Sequence, residues 1–189
     1  VGAGAACPPP PAGVEAACSG GMQESLSVGG TDGFEVRKNK VHGTLGKKEG
    51  IDAKDGSRNG RIHGNVVFDV PAVGIYVDAW DKDTSNIEVY QNVVHATGTG
   101  IDIASEMGGR LSNVRIFNNV VYDNKSFGIV VSNNGDSKKH PVDGVKIINN
   151  TVHGNGKEWG GGIAIENLDA RNVVIRNNIV SGILSFQIS

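Results

Sequence analysis

Two segments, IEVYQNVVHA at residues 87–96 and VRIFNNVVYD at residues 114–123, decide the fold of this chain. They align without gaps, and four further segments, beginning at positions 34, 60, 145 and 173, align with both. In each segment an isoleucine or valine lies three residues before a common asparagine, and a valine lies two residues after it. Self-similarity at a nearly constant period predicts a repeat architecture. The asparagine column recurs every 26 to 31 residues, at Asn39, Asn65, Asn92, Asn119, Asn150 and Asn178.

A Gly-Ile pair opens a second strand in each repeat. Both strands alternate apolar and polar residues, and no helical periodicity separates them, which excludes a doubly wound sheet. A propeller blade needs about 40 residues or more and is too long. The pattern therefore predicts an all-β solenoid at residues 22–189, a parallel β-helix of about seven rungs stacked roughly 4.8 Å apart. The Gly-Ile pairs are residues 50–51, 74–75, 100–101, 128–129 and 162–163.

Two columns of the repeat are interpreted as structural. Stacked rungs place the asparagines above one another at a turn, so that their side-chain amides bridge neighbouring rungs. A second column lies three residues after each asparagine, and we interpret it as a stacked row rather than a metal or catalytic site. Its members are His42, Phe68, His95, Tyr122 and His153.

The composition limits the partners of the chain. Its 189 residues carry 18 Lys and Arg against 20 Asp and Glu, a formal net charge of −2, which argues against nucleic acid or an anionic membrane as the main partner. No apolar run approaches the roughly 18 residues of a membrane span. Residues 1–21 form a separate segment whose Cys7 and Cys18 either close a disulfide or remain free thiols. A start at Val1 without a signal peptide is expected of a mature exported protein or of a fragment.

The repeats resemble those of right-handed parallel β-helix proteins of the pectate-lyase-like superfamily. Three stretches carry the resemblance: EGIDAKDGSRNGRIHGN at residues 49–65, VGIYVDAWDKDTSNIEVYQNVVH at residues 73–95 and GIDIASEMGG at residues 100–109. They are similar to bacterial β-helix proteins described as polysaccharide-active enzymes, which implies an extracellular or periplasmic location and a polysaccharide substrate. The superfamily hosts lyases, hydrolases, epimerases, esterases and adhesins, so the fold does not fix the reaction. A capping partner or further chain is expected at the end rungs, because exposed strand edges invite pairing.

The outward residues of the first three Gly-Ile strands differ from rung to rung, as a functional site requires. If the isoleucines point inward, alternation sends acidic, basic and aromatic side chains to one outer face. Two large rings among carboxylates suit stacking on sugars. A plain solvated face with a Lys54–Asp78 ion pair is the alternative. The candidate groove contains Asp52, Lys54, Asp55, Tyr76, Asp78, Trp80, Asp81, Lys82, Asp102 and Glu106.

β-Elimination on a uronate polymer is the first reaction that this set favours. A base removes the proton next to the uronate carboxylate while a cation neutralises that carboxylate. Lys54 is the candidate base, with a pKa lowered by burial, and Arg110 and Lys82 are candidate substrate ligands. Carboxylates also suit Ca²⁺, a hard cation, and no organic cofactor is indicated. The candidate calcium ligands are Asp52, Asp55, Asp78 and Asp81.

Two other functions remain open. Asp52 and Asp102 are expected in one column two rungs apart, roughly 9 to 10 Å between backbones, near the upper end of the roughly 6.5–9.5 Å typical of inverting glycosidases. Asp78 and Glu106 form a closer candidate pair. A non-catalytic glycan-binding or surface module would use the same groups only to hold a polymer, and it would tolerate neutral isosteres of Lys54 and the acids.

Overall fold

The structure, a computed structural model, describes residues 24–44, 46 and 49–189. The predicted terminal segment at residues 1–21, with Cys7 and Cys18, lies outside these residues. The described part of the chain forms strands and turns, and it contains no helix long and apolar enough to cross a membrane. In chain order the strands are β1 (Glu24–Gly29), β2 (Asp32–Arg37), β3 (Lys40–His42), β4 (Glu49–Lys54), β5 (Arg58–His63), β6 (Val66–Asp78), β7 (Thr84–Tyr90), β8 (Val93–Ala104), β9 (Leu111–Phe117), β10 (Val120–Tyr122), β11 (Ile129–Val131), β12 (Val142–Asp143), β13 (Lys146–Ile148), β14 (Thr151–His153), β15 (Ile163–Ile165), β16 (Val174–Arg176) and β17 (Ile179–Ser181).

Successive turns of the chain stack through parallel, in-register strand pairing. The strands that precede the asparagines form one sheet, in the order β16-β13-β9-β7-β5-β2, and its outer surface is face 1. The strands that follow the asparagines form face 2, from β3, β10, β14, β17 and the first halves of β6 and β8. The Gly-Ile strands form face 3, from β4, β11, β15 and the second halves of β6 and β8. The described residues thus build a parallel β-helix of about six turns, which confirms the predicted fold class and is close to the seven rungs expected.

A left-handed residue forms the corner before each asparagine of the repeat. Its φ lies between 53° and 62°, a region that glycine and asparagine enter at small cost. One such residue turns the chain from face 1 to face 2 without a loop, and the asparagine that follows it points into the coil. The six corner residues are Lys38, Gly64, Gln91, Asn118, Asn149 and Asn177.

The buried asparagines form a continuous hydrogen-bonded ladder beside the apolar core. Asn92 Nδ2 donates to Asn119 Oδ1 and to the Ile62 carbonyl oxygen, each at 3.0 Å. Asn92 Oδ1 accepts both the backbone N–H and the side-chain Nδ2 of Asn65, again at 3.0 Å. The same amide-to-amide bond links every rung of the column from Asn39 to Asn178. The predicted asparagine ladder is therefore confirmed.

Rings stack in two outer columns. The face 2 row consists of His42, Phe68, His95 and Tyr122, with neighbouring ring centroids 4.7, 5.2 and 4.7 Å apart. His153 continues this column in register with Tyr122, so the predicted structural row is confirmed. A second row, which the sequence analysis did not identify, lies on face 1 and consists of His63, Tyr90 and Phe117. Both rows follow from the in-register pairing, which places like side chains one rung apart.

Removing one rung of the ladder tests its contribution to stability. Asn92→Ala deletes an amide that makes four hydrogen bonds and leaves its buried partners unsatisfied. We expect the free energy of unfolding to fall by on the order of 3 kcal/mol. Asn133→Ala, at an exposed loop position, is the control and should change stability little. Calorimetric melting temperatures that are equal for the two variants would contradict the role given to the ladder.

Candidate functional site

Glycine brings the rungs of face 3 into close backbone contact. A Cβ on Gly74 would lie 2.8 Å from the Gly100 carbonyl oxygen, and one on Gly100 would lie 2.4 Å from the Gly128 carbonyl oxygen. Any side chain there would force the rungs apart. The isoleucine after each glycine points into the apolar core, and the next residue points outward. The Gly-Ile pair thereby sets which side chains meet on face 3.

The register of face 3 brings several predicted site residues together. Asp52 pairs with Tyr76, and Tyr76 pairs with Asp102, so the two aspartates share one column two rungs apart. Asp78 lies two residues further along its strand than Tyr76. Strand alternation predicts an open groove with exposed carboxyl groups. In the structure, however, Asp52, Asp78 and Asp102 are each only 1% exposed. These carboxyl groups therefore lie beneath the surface rather than on it.

A small recess opens over this acidic cluster, and we call it the acidic recess. Its volume of about 60 Å³ suits a carboxylate-sized group rather than a whole sugar ring. Trp80 is 41% exposed, which leaves its ring open to solvent at the edge of the recess. Five carboxyl groups and one lysine surround the remaining space. The lining residues are Glu24, Glu49, Asp52, Lys54, Tyr76, Asp78, Trp80 and Glu106.

Burial raises the pKa of several carboxyl groups on face 3 and favours their protonated form. It raises the pKa of Asp52 to about 8 and that of Asp102 to about 7, and the charges of neighbouring carboxylates act in the same direction. Burial raises the pKa of Asp78 only to about 6, because two backbone N–H groups stabilise its carboxylate. Protonated and ionised carboxyl groups therefore coexist at neutral pH.

Lys54 is held as a cation between two carboxyl groups. Its Nζ contacts Glu24 Oε1 and lies 3.2 Å from Asp52 Oδ2. Burial alone would lower the pKa of Lys54, but the hydrogen bonds and charges of these partners outweigh it and raise the pKa above its usual range. The predicted lowering of the Lys54 pKa, which would have made it a base, is therefore wrong. The carboxyl groups that contact Lys54 are those of Glu24 and Asp52, not that of Asp78.

Tyr76 belongs to a hydrogen-bonded chain inside the recess. Its hydroxyl donates to Glu106 Oε1, and the Glu106 backbone N–H donates to Asp78 Oδ1 at 3.1 Å. Burial and the neighbouring carboxylates raise the pKa of Tyr76 above its usual range, so the hydroxyl keeps its proton. The ring is 6% exposed, which removes Tyr76 as a stacking surface for sugars and leaves Trp80 in that position.

Other predicted site residues lie outside the acidic recess. Arg110 donates from Nη2 to Asp143 Oδ2 at 3.0 Å, and Lys82 is exposed in the turn after β6. Asp102 does not line the recess, and its Oδ2 accepts a hydrogen bond from Asn134 Nδ2 at 3.1 Å. The structure therefore separates Arg110 and Lys82 from the cluster around Asp78, whereas Asp102 adjoins the cluster through its register with Tyr76.

Only two of the four predicted calcium ligands, Asp52 and Asp78, come together. In residues 24–44, 46 and 49–189, no group of three or more His, Cys, Asp or Glu side chains is placed to hold a metal ion. Asp55 has a left-handed backbone, with a φ of 56°, and packs near Gly29. Asp81 is exposed, and neither residue lines the recess with Asp78. This geometry therefore does not support a calcium-dependent step.

The stacked turns with an acidic recess on one face define this chain as a parallel β-helix protein. The family described as periplasmic copper-binding protein (NosD) matches residues 14–151, and the chain belongs to this family.

Two solved structures from Azotobacter vinelandii are similar in fold. The mannuronan C-5 epimerase AlgE4 A-module has a TM-score of 0.61 and 17% identity, and the AlgE6 A-module has a TM-score of 0.60 and 16% identity. The alignments cover 84% and 88% of this chain but 46% of each module, so the chain spans just under half the length of either. No curated protein matches the sequence of the chain.

The donor groups in the described part of the chain do not fit a copper site. Copper in proteins is held by imidazole, thiolate and thioether groups. The histidine rings lie apart from one another, with His63 Nε2 2.9 Å from Glu35 Oε1 and His140 Nδ1 2.7 Å from a backbone carbonyl oxygen. His42 and His95 are separated by a phenylalanine ring in the face 2 row. The histidine side chains of the described residues therefore do not form a copper site.

A larger groove on face 1 was missed by the sequence analysis. Its volume is about 670 Å³, and its residues belong to the strands that precede the asparagines. The signal was present in the sequence, because the residue four positions before the asparagine is charged in five consecutive repeats. That column consists of Glu35, Arg61, Glu88, Arg115 and Lys146.

The raised pKa of Asp52 predicts that stability depends on pH. Asp52 binds its proton more tightly in the folded chain than in the unfolded chain, so its contribution is complete below pH 3.8 and is lost as the pH rises to about 8. One linked proton changes the free energy of unfolding by about 1.4 kcal/mol per pH unit in that window. Asp52→Asn, a neutral isostere, should melt at a higher temperature than the wild type at pH 8 and lose less stability between pH 5 and pH 8.

Thermal melts at both pH values measure this effect. Asp69→Asn, at an exposed position with a left-handed φ of 52° that asparagine tolerates, is the control and should follow the wild type. Parallel pH dependence of Asp52→Asn and the wild type would show that Asp52 does not hold the linked proton.

Proposed function

We propose that this chain acts on a uronate-containing polysaccharide in the periplasm or outside the cell. The reaction removes the proton from the carbon that carries the uronate carboxylate, and the glycosidic oxygen on the next carbon leaves. The acidic recess carries this proposal, because buried carboxyl groups of different pKa lie there beside a fixed cation and an exposed indole. The description of the NosD family as periplasmic supports the location. The epimerases with a similar fold are named for mannuronan and for its carbon 5, which supports the polymer class and the reacting carbon.

The recess is suited to the carboxylate of one uronate unit. Asp52, with a pKa of about 8, is protonated at neutral pH and donates a hydrogen bond to that carboxylate. Lys54 adds a positive charge 3.2 Å from Asp52. Neutralising the uronate carboxylate stabilises the negative charge that develops when the adjacent C–H bond breaks. The sugar ring itself lies outside the recess, where Trp80 offers a stacking face.

Asp78 is the proposed base. Its pKa of about 6 leaves it ionised at neutral pH, and a base with a pKa near the working pH is effective. The Glu106 N–H donates to Oδ1 at 3.1 Å, which fixes the orientation of the carboxylate that accepts the proton. The electrons of the C–H bond form a carbon–carbon double bond as the bond to the glycosidic oxygen breaks.

Tyr76 is the proposed acid. Its hydroxyl is protonated at neutral pH and donates to Glu106 Oε1 in the free protein. It turns from Glu106 to the leaving oxygen as negative charge develops there, because only a strongly basic oxygen takes a proton from a phenol whose pKa is raised. The proton passes to the leaving oxygen, so one proton is taken by Asp78 and one is given by Tyr76. Exchange with solvent returns both groups to their starting states.

Inverting hydrolysis is the second candidate, favoured by the shared column of Asp52 and Asp102. Their spacing of two rungs is roughly 9 to 10 Å, near the upper end expected for inversion. Inversion needs one protonated and one ionised carboxyl group, and pKa values of about 8 and about 7 leave Asp52 largely protonated and Asp102 about half ionised at neutral pH. Asp102 does not line the acidic recess, whereas Asp52 and Asp78 do, so the geometry favours elimination with Asp78 as the base.

Replacing Asp78 tests the reaction. The wild type is incubated with polymannuronate, polygalacturonate and a neutral glucan, and the ultraviolet absorbance of the new double bond is followed. Asp78→Asn keeps the shape of the site but cannot accept the proton, so kcat should fall by about 100-fold or more while KM changes little. Asp69→Asn is the matched control. New reducing ends without absorbance would assign hydrolysis, and polymer binding without either product would assign a binding module.

The pH profile provides an independent test of the two carboxyl roles. We expect kcat/KM to rise as Asp78 ionises near pH 6 and to fall as Asp52 loses its proton near pH 8. Asp52→Asn should abolish the alkaline fall, because the amide does not titrate and still donates a hydrogen bond. An unchanged alkaline limb in this variant would remove Asp52 from the site.

A further inference from the structure

We propose that the groove on face 1 is a second binding site for the polysaccharide, separate from the acidic recess on face 3. The carboxylated nature of the polymer rests on the proposed function, whereas the location of the site rests on the groove alone. The groove has a volume of about 670 Å³ and runs along β5, β7, β9, β13 and β16. It is thus about ten times larger than the recess, and it is long enough to follow a polymer over several rungs.

Positive charge is concentrated along the groove. Arg61, Glu88, Arg115 and Lys146 are consecutive partners in the strand register, and Arg176 lines the same groove. Glu88 Oε1 accepts from Arg115 Nη1 at 2.8 Å, so these two charges compensate each other. Within the described ranges, no ion pair involves Arg61, Lys146 or Arg176. Three cations therefore remain for an anionic ligand.

Glu35, the acidic residue next to Arg61 in this column, contacts two other side chains. Glu35 pairs with Arg61 in the register, but its carboxylate lies 3.1 Å from Arg37 Nε and 2.9 Å from His63 Nε2. The hydrogen bond with His63 and the charges of Arg37 and Arg61 lower the pKa of Glu35, and the ion pair with Arg37 compensates the charge of Glu35. The excess of positive charge in the groove therefore persists when the neighbouring acids are included.

A second asparagine ladder lines the groove. Asn86 Nδ2 donates to Asn59 Oδ1 at 2.9 Å, and Asn113 Nδ2 donates to Asn86 Oδ1 at 2.7 Å. These side chains are exposed, unlike those of the buried ladder. An amide has two N–H donors, and the ladder uses one, so the other can meet a sugar hydroxyl. Because the ladder fixes these groups before binding, little side-chain entropy is lost when a ligand arrives.

The rung spacing matches the repeat of a polyuronate chain. Adjacent rungs are roughly 4.8 Å apart, so Arg115 and Lys146 are separated by one rung and Arg61 lies roughly 14 Å from Lys146. One sugar unit advances by roughly one rung, and each unit of a polyuronate carries one carboxylate. A chain laid along the groove therefore presents a carboxylate near each rung, including the rungs of Arg61 and Lys146, which are three rungs apart. Guanidinium groups bind carboxylates through two parallel hydrogen bonds.

The groove is better suited to a carboxylated glycan than to a nucleic acid. Proteins that bind single strands offer aromatic faces to the bases. On face 1 the rings of His63, Tyr90 and Phe117 stack on one another, with centroids 4.5 and 4.9 Å apart, and the Arg115 guanidinium lies over the Phe117 ring. The ring faces are thus occupied, whereas amide and guanidinium groups are open for hydroxyls and carboxylates. A polymer held at both faces of one rigid coil would gain from the second contact through effective concentration.

Binding of a mannuronate oligomer to two triple variants tests the site. The groove variant combines Arg61→Gln, Lys146→Gln and Arg176→Gln. The control variant combines Lys40→Gln, Lys125→Gln and Lys157→Gln, which removes the same net charge at exposed positions away from the groove. Titration calorimetry at low and high salt should show an affinity about 10-fold lower or more for the groove variant, with a shallower salt dependence, and an affinity within about twofold of the wild type for the control.

The possible results separate this proposal from the proposed function. Equal affinities of the two triple variants would overturn the groove site. Tighter binding of single-stranded DNA than of the oligomer, lost in the groove variant, would assign the groove to nucleic acid and also overturn it. If the wild type shows no turnover but oligomer binding still depends on the groove cations, the reaction at the recess is wrong and the groove site stands. Asp78→Asn should retain groove binding in every case.

Discussion

In-register stacking of parallel turns is the constraint from which the other features of this molecule follow. Each buried asparagine amide donates to the rung on one side and accepts from the rung on the other, as Asn92 does between Asn65 and Asn119. A turn that slipped by one residue would bury a polar side chain elsewhere and leave these amides unsatisfied, at a cost of several hydrogen bonds. The glycine column of face 3 adds a steric constraint, since Gly74 and Gly100 leave no room for a side chain between rungs. Inner columns are therefore uniform, and only outer columns are free to differ.

The outer columns give the coil two faces of opposite electrostatic character. On face 3, acids are buried next to one another, and they are tolerated because the raised pKa of Asp52 keeps that group neutral at moderate pH. On face 1, cations such as Arg61 and Lys146 remain exposed in an open groove, where solvent screens their repulsion. The small net charge of −2 is therefore the sum of an acidic cluster on face 3 and an excess of positive charge on face 1. A recess that fits one carboxylate and a groove that fits several sugars suit different parts of the same kind of polymer.

The sequence also indicated which columns stack or hydrogen-bond from rung to rung. Columns that repeat one residue type, such as the asparagines and the rings from His42 to Tyr122, proved to be structural. The variable column on face 3 was correctly located, because strand alternation and the Gly-Ile pair fix which residues share a side. The equally variable column on face 1 is present in the same alignment, but exposed arginine, glutamate and lysine are typical of any solvated strand face. Only the structure shows that Arg61 and Lys146 line a groove without an ion-pair partner among the described residues.

The sequence by itself determined the coil, its period, the asparagine ladder and the shared column of Asp52, Tyr76 and Asp102, since these depend on local periodicity and on like residues pairing across rungs. Only the tertiary structure decided the depth and the charge state of those groups. Glu24 lies beside Lys54 and raises its pKa, so Lys54 is a fixed cation rather than the predicted base. Tyr76 is buried, so it offers a hydroxyl donor rather than the predicted stacking surface. Solvent exposure and pKa depend on every neighbour in space, including residues on other rungs and loops, and a repeat pattern records only the order of residues along each rung.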